Sequence, residues 1–467
     1  MLSKKPVLMM PVENQVRELD ARLLLACVAA RRGLTSIIGP KREIESRIAS
    51  FPRGIFLSKS LRVAKRKIFP LARKLGHEIV SWDEEALVHL PPETYFTRRL
   101  PPVGLENVSH LFAWGEDNAE LWRQYPKLPA GMPIHVTGNP RGDLLRSETR
   151  AFYEEDSEKI RNTHGNFILI NTNFNHVNAF YPEQNLFQPV KEEGEEARCG
   201  QAARGMTREY AEGLRDHKQA IFEHFQKMIP DLEKAFPEHN IVVRPHPTEN
   251  QEVYHRIAAQ CERVRVTNEG NVVPWLMATR VLLHNGCTTG VEAYAMGVPS
   301  ISYRATVNDD FDLGFYQLSN GLSHQCFDFA GLQDTLNKIF SGEVGSGDED
   351  QKKALIDHHL AALSGPLACE RIVDVLEKIA DDLSKLPKPP LRDQLEGWFQ
   401  ANRRRMRQST KSYLPGSPKS PEFLRHRYPV ITTSEVGTRL ARFQQVLGDD
   451  GQINVEQIYD KFFRISS

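Results

Sequence analysis

The sequence predicts an α/β protein made of two Rossmann-like domains, each on a parallel sheet, followed by a C-terminal helical extension. Three observations carry this expectation. Short apolar runs alternate with helix-patterned segments, an order that builds parallel sheets. The alternation stops in a charged stretch from Ser147 to Gly165 and then restarts. After Ala380 the composition shifts to Pro, Lys and Arg. At 467 residues the chain also exceeds what one hydrophobic core usually supports. The expected division is residues 1–150, 165–380 and a basic, Pro-rich extension over 385–467.

The first strand is Pro6 to Met10, and a helix follows from about Glu18 to Arg32. Leu19, Leu23, Ala26, Cys27 and Ala30 recur at spacings of three and four, which makes one apolar stripe, and Gly33 supplies the left-handed residue that closes it. Further strands are expected at Thr35 to Ile38, Gly54 to Leu57, His77 to Val80, Leu111 to Ala113 and Ile134 to Val136, each ending in polar or turn residues. The second domain opens with strand Phe167 to Asn171. The polar segment from Asn173 to about Glu209 is too long for an ordinary connection, which marks a functional loop or partial disorder. A helix from Gly213 to Phe236, strands Asn240 to Arg244, Arg263 to Val266 and Val281 to His284, a helix from Thr288 to Met296 and strand Ser300 to Tyr303 complete the unit. A helix near Leu391 to Arg407 is placed to pack back on the first domain, and helical pieces are expected in the tail.

Sixty basic and sixty acidic residues leave no net charge, and 40% hydrophobic residues is an ordinary globular composition. No run of eighteen apolar residues occurs, and Met1 to Met10 leads straight into Pro11 and Glu13, so a cytoplasmic protein without a signal peptide is expected. The six cysteines lack metal-ligand spacing and are expected as free thiols, with no metal site. Glu192, Glu193, Glu195 and Glu196 form an acidic loop. Stretches 59–74 and 385–427, the latter with Arg403, Arg404, Arg405 and Arg407, are strongly basic. They are solvated faces or sites of peripheral contact with an anionic membrane or a phosphorylated acceptor. Neutral net charge and the lack of interleaved aromatics argue against nucleic-acid binding. Neither a GxGxxG motif nor a Walker loop is present, which argues against dehydrogenase and nucleotide triphosphatase readings.

Ligands of open parallel sheets bind beyond the carboxyl ends of the strands, and two such ends are dense in polar groups. In Arg244-Pro245-His246-Pro247-Thr248-Glu249 a doubly proline-pinned turn fixes a forked cation and an imidazole, both suited to phosphate, although a lone histidine is more often structural. In His284-Asn285-Gly286-Cys287-Thr288-Thr289-Gly290-Val291-Glu292 a tight turn leads into a helix. Thr288 is placed to cap it, Thr288 and Thr289 to donate to phosphate, and Glu292 to accept ribose hydroxyls. The competing reading is an ordinary capped helix with a glutamate in its first turn.

The second segment, with Gly297-Val298-Pro299 after it, resembles the donor box of GT-B glycosyltransferases, enzymes of two Rossmann-like domains facing across a cleft. Joined with Arg244-Pro245-His246-Pro247, it is similar to bacterial surface-polysaccharide transferases that use CMP-activated Kdo or sialic acid, and more distantly to CDP-glycerol polymerases. Pro11-Val12-Glu13, Glu18-Leu19-Asp20-Ala21-Arg22, Asp83-Glu84-Glu85 and Thr137-Gly138-Asn139-Pro140-Arg141 with Asp143 extend the resemblance to surface carbohydrate biosynthesis proteins over Pro6 to Ala380.

The resemblance implies a metal-independent enzyme without a cofactor, acting on a nucleotide sugar, with a CMP-sugar favoured, and on a glycan or glycolipid acceptor of capsule or lipopolysaccharide. It places Arg244, His246, Thr288 and Thr289 at the donor phosphate and Glu292 at the ribose, with His284 also binding the donor nucleotide and Asn171 and Asn173 completing the cradle. A first-domain carboxylate, Glu13 or Glu84, would deprotonate the acceptor or attack the anomeric carbon. Arg17 is a candidate for a sugar carboxylate or a surface residue, and Arg141 either grips substrate or pairs with Asp143. Two other readings stand beside this one: a UDP-sugar 2-epimerase of the same layout, and a catalytically silent nucleotide-binding scaffold in capsule assembly.

Overall fold

The structure, a computed structural model, describes residues 6–62, 67–87, 91–190, 196–312, 317–347, 350–412, 425 and 427–467. The chain divides into two units. One comprises Met1–Phe152 with Asp357–Ser467, and the other Tyr153–Ile356.

The first unit begins with six parallel strands: β1 (Val7–Val12), β2 (Ser36–Pro40), β3 (Gly54–Ser58), β4 (Glu78–Ser81), β5 (His110–Ala113) and β6 (Ile134–Val136). All lie within two residues of the expected runs. Every residue of β1 is buried, because the strand is central and covered on both faces, so it reads as a continuous apolar run without alternation. Helix α1 (Gln15–Arg31) buries Leu19, Leu23, Ala26 and Ala30 and stops where Gly33 turns to φ 72°.

The second unit is a six-stranded parallel sheet: β7 (Phe167–Asn171), β8 (Asn240–Arg244), β9 (Val264–Val266), β10 (Val281–His284), β11 (Ser300–Tyr303) and β12 (His324–Cys326), in the order β12-β11-β10-β7-β8-β9. Helix α2 (Arg208–Ala235) packs Phe225, Ile229 and Leu232 into a core with Ile168, Ile170, Val243 and Leu283. Helix α3 (Thr289–Ala295) follows β10. The long segment after β7 is held by bridges between Ala179 and Glu249 and between Phe187 and Cys199, around a small cluster that includes Leu186, Ala203 and Leu214. In the acidic loop, Glu192, Glu193 and Glu195 lie outside the described residues.

The composition shift carries the second domain to 380, whereas in the structure residues 357–467 pack with the first sheet. Helix α4 (Ala368–Lys385) buries Ile372, Val373, Leu376, Ile379 and Leu383 and lies on α1. Its first N–H groups are tied to the first unit, because the Asp143 carboxylate accepts from Ala368 at 2.7 Å and from Cys369 at 2.8 Å. Helix α5 (Leu391–Ser412) packs on residues 41–50 and 68–74, through buried Ala401 and close-set Gly397 rather than through its large apolar side chains. Helix α6 (Thr433–Val446) lies on α1, and Phe443 stacks on Phe152 at 3.9 Å.

The tail then forms a hairpin, β13 (Asn454–Tyr459) and β14 (Phe462–Ser466), rather than helical pieces alone. It adds to β2 antiparallel, giving the order β13-β14-β2-β1-β3-β4-β5-β6. The hairpin covers the β2 edge, which would otherwise present unpaired backbone groups. Residues 63–66 of the first basic stretch, and 413–424 and 426 of the second, lie outside the described residues. Among those described, no helix is long and apolar enough to cross a membrane.

Candidate functional site

In the second unit the chain runs from β7 outward through β8 and β9, then returns to the other side of β7 with β10. The strand order therefore reverses between β7 and β10, and a parallel sheet opens a crevice beyond the carboxyl ends of such a pair. Those ends carry Asn171 and Asn173 on one side and His284 to Glu292 on the other, with Asn171 paired to His284 in the ladder. Asn173 N–H donates to Asn285 Oδ1 at 2.9 Å, which joins the two loops.

Three buried side-chain oxygens here have no hydrogen-bond partner among the described residues: Asn171 Oδ1, Asn173 Oδ1 and Thr289 Oγ1. A buried polar atom without a partner loses its hydration and gains nothing, so these three are atoms that a polar ligand could satisfy. Glu292 is buried one turn into α3. Thr288 adopts helical dihedrals and makes no side-chain cap, so the expected N-cap is not formed.

His284 is placed differently from its expected role in binding the donor nucleotide. Its Nδ1 accepts from the Gly286 N–H at 3.0 Å and the Cys287 N–H at 3.3 Å, which puts the ring proton on Nε2. That N–H donates to Ser323 Oγ at 2.8 Å, and Ser323 donates to the Ser319 carbonyl at 2.7 Å. The ring is wholly buried and its nitrogens are spent on shaping the turn, where Gly286 adopts φ 84°. Burial lowers its pKa to about 3, so it stays neutral. His284 builds the loop from beneath.

On the neighbouring strand end, Arg244 is buried and its guanidinium donates to the Glu269 carbonyl at 2.7 Å and the Gly270 carbonyl at 3.2 Å, over the Trp275 ring at 4.6 Å. Part of its donor set is therefore committed to a loop. His246 Nδ1 lies 2.7 Å from Thr248 Oγ1 and 3.3 Å from the Thr248 backbone nitrogen, so the turn fixes the ring through that nitrogen. Glu249 fixes the proline turn: its carboxylate accepts from the His246 N–H at 3.1 Å, from Thr172 Oγ1 at 3.0 Å and from Tyr254 Oη at 2.7 Å. Burial raises its pKa against those bonds. Thr172 and Tyr254 carry no motif, and only the fold brings them to Glu249.

The first sheet reverses its order between β1 and β3. Glu13 follows β1, and Lys59 follows β3. Glu13 is ringed by three cations: Lys41 Nζ at 2.9 Å, Lys59 Nζ at 3.1 Å and Arg427 at 3.1 Å. Burial alone would raise its pKa, but Lys59 and Lys41 hold it far below the usual carboxylate range, which leaves a weak base. Lys59 also bonds Glu18 Oε1, whose other oxygen accepts the Glu13 N–H at 2.9 Å.

Glu84, after β4, is buried and accepts from Arg22 at 2.9 Å and from Trp82 Nε1 at 2.8 Å, both on Oε2. Burial works against ionisation, yet Arg22 and Lys59 bring its pKa down to about 2. Glu84 Oε1 has no hydrogen-bond partner among the described residues, and the Arg141 guanidinium is 3.8 Å away. Arg141 thus faces Glu84 rather than Asp143, which is engaged with Ala368 and Cys369. Arg17 grips Glu85 through two bonds, 2.9 and 3.2 Å, so an incoming sugar carboxylate would have to compete for it. Arg22, which the motif includes without a role, stacks on Trp82 at 4.2 Å. Its position inside the apolar stripe of α1 was the available signal.

No family model matches the chain, and no curated protein does. Among solved structures, it is similar to the wall teichoic acid polymerase TagF soaked with CDPG (11% identity, 81% of this chain and 89% of that one, TM-score 0.46). It is also similar to the UDP-GlcNAc 2-epimerase of Methanocaldococcus jannaschii (12% identity, 79% and 99% covered, TM-score 0.48) and to that of Neisseria meningitidis (12% identity, 80% and 99% covered, TM-score 0.45). Each likeness lies in the course of the chain at low sequence identity.

Proposed function

We propose that the protein is a glycosyltransferase that holds a nucleotide sugar on the second unit and transfers its sugar to a surface-polysaccharide or glycolipid acceptor. A CMP-activated Kdo or nonulosonic acid is the favoured donor, on the strength of the motif resemblance. The observation that carries the reading is the set of unpartnered oxygens on Asn171, Asn173 and Thr289 at the strand-order reversal.

In this reading Thr289 and Thr288 donate to the phosphate, with Arg244 and His246 offsetting the charge that develops on it. Glu292 and the asparagine oxygens accept ribose and sugar hydroxyls. His284 is a positioning residue. On the first unit, Glu84 is favoured over Glu13 as the reacting carboxylate, because its Oε1 meets a guanidinium only at 3.8 Å whereas both Glu13 oxygens are held by cations at 2.9 to 3.1 Å. Arg141 is the candidate partner of an acidic sugar.

A thermal-shift series with CMP, CDP, UDP, UDP-GlcNAc and GDP tests the donor. A shift with CMP alone supports the CMP-sugar assignment, and a shift with UDP alone overturns it. Incubation with UDP-GlcNAc and no acceptor tests the reaction, because epimerisation would replace the transferase reading with the 2-epimerase one.

A further inference from the structure

We propose that the outward face of α5 docks the protein on an anionic lipid surface, independently of the reading of the catalytic site. Leu391, Leu395, Trp398, Phe399 and Met406 are 71%, 60%, 55%, 63% and 72% exposed. At helical spacing these five positions share one arc of about 100°. Large side chains at that density are unusual on a surface that meets only water.

Leu391, Leu395 and Trp398 rim a groove floored by Ala49, Phe51 and Leu75, and the rest of the stripe is held outward by what lies on the opposite face. Ala401 is buried, and Gly397 sits where a Cβ would be 3.1 Å from that of Lys74. Glu396 pairs with Lys74, Arg404 with Glu45 at 3.4 Å, and the Arg42 guanidinium donates to the Gln408 carbonyl at 3.0 Å. The helix is thus fastened to the first unit by its other side.

Charge chooses the occupant. Exposed Arg405 flanks the stripe on one side, and exposed Arg392 and Arg403 flank it on the other, with Lys388 and half-exposed Leu386 just before the helix. An apolar arc between guanidinium groups suits an interfacial helix, whose side chains enter the acyl boundary while arginines meet lipid phosphates. A second copy would bring these arginines against one another, since the helix carries only two acids, Asp393 and Glu396, and Glu396 is already paired with Lys74.

The test uses the full chain and vesicles of phosphatidylcholine, alone or mixed equally with phosphatidylglycerol. Trp398 reports contact, because the other four tryptophans, Trp82, Trp114, Trp122 and Trp275, are buried. Expected are flotation with the anionic vesicles at least about tenfold stronger than with neutral ones, quenching of Trp398 by brominated acyl chains, and weakening in high salt. Leu395→Glu with Phe399→Glu should lower binding at least about tenfold at an unchanged melting temperature, and Arg403→Glu with Arg405→Glu should remove the preference for anionic lipid. The proposal is overturned by equal binding to both vesicle types, by flotation that the stripe variant leaves intact, by a stripe variant that melts early, or by sedimentation showing a dimer that the stripe variant dissociates.

Discussion

Gly290 lies so close to His284 that a Cβ at position 290 would stand 2.5 Å from Nε2 and 2.9 Å from Cε1. The ring cannot give way, because its two nitrogens are bonded to Gly286, Cys287 and Ser323. Gly290→Ala should therefore destabilise the second unit by about 1–3 kcal/mol, read by thermal or urea unfolding. His284→Asn, which keeps an acceptor for the turn, should cost less than His284→Ala. Equal losses in the two variants would show that the Nδ1 bonds do not hold the loop.

Two buried neutral histidines make stability depend on pH in a fixed direction. Burial lowers His284 to about 3 and His77 to about 4. In the unfolded chain both titrate near 6.5, so on acidification the unfolded state takes up protons first. The stabilising advantage is full above about pH 6.5 and declines toward pH 4 for His77 and pH 3 for His284. By pH 5 each histidine should have cost about 2 kcal/mol. Urea unfolding of the wild type and of His284→Asn between pH 7 and 5 checks this: the difference between them should shrink as pH falls.

What could be read from the sequence follows from how each element is stabilised. β1, β7 and β10 are buried on both faces and must be apolar throughout, so their bounds were legible within two residues. β12, His324-Gln325-Cys326, is held at a sheet edge by backbone bonds that any side chain permits. The hairpin turn at Asp460-Lys461 lacks a glycine or asparagine signal, although buried Phe463 and Ile465 alternating with exposed Arg464 do show a strand period. His284 was legible as special but not in its role, because a residue list does not show which way a ring turns. Arg22 and Glu84 stand 62 positions apart, and only the sheet order brings them together.

The open oxygens predict opposite effects on stability and on binding. Thr289→Val removes a buried hydroxyl without a partner while keeping the side chain's shape, so the free protein should melt unchanged or slightly higher. Nucleotide affinity should fall about 5–50-fold, since one hydrogen bond to phosphate is lost. Calorimetric titration with the nucleotide that gives the largest thermal shift reads the second effect. A loss of more than about 1 kcal/mol in stability would mean that the hydroxyl is already bonded within the protein.

Arg22 and Glu84 form a wholly buried pair at 2.9 Å, which leaves a strong energetic signature. Removing one partner strands the other charge, so Arg22→Met should cost about 3–5 kcal/mol. Arg22→Met combined with Glu84→Gln should be less harmful than the sum of the two single changes by at least about 1 kcal/mol. Under the proposed function Glu84→Gln alone should reduce transfer about 100-fold or more while the chain still folds. A Glu84→Gln protein with near-normal transfer would remove Glu84 from the chemistry and return Glu13 to consideration.

Asp143 joins the ends of a discontinuous unit, and its loss should be felt far along the chain. Its two oxygens accept the first free N–H groups of α4, 225 and 226 residues later, inside a buried contact. A carboxylate at a helix start also meets the positive end of the helix dipole, so both bonds are charge-assisted. Asp143→Ala leaves two buried donors without acceptors and should lower stability by about 2–4 kcal/mol. Asp143→Asn keeps one acceptor oxygen and should lose roughly half as much. Because the loop before α4 reaches back to Trp114 through the Ala361 N–H at 2.7 Å and to Arg146 through the Ala362 carbonyl at 2.8 Å, the damage should concentrate there. Limited proteolysis of Asp143→Ala should then cut between about residues 357 and 367 faster than in wild type, whereas uniform cleavage along the chain would show that Asp143 does not hold this return segment in particular.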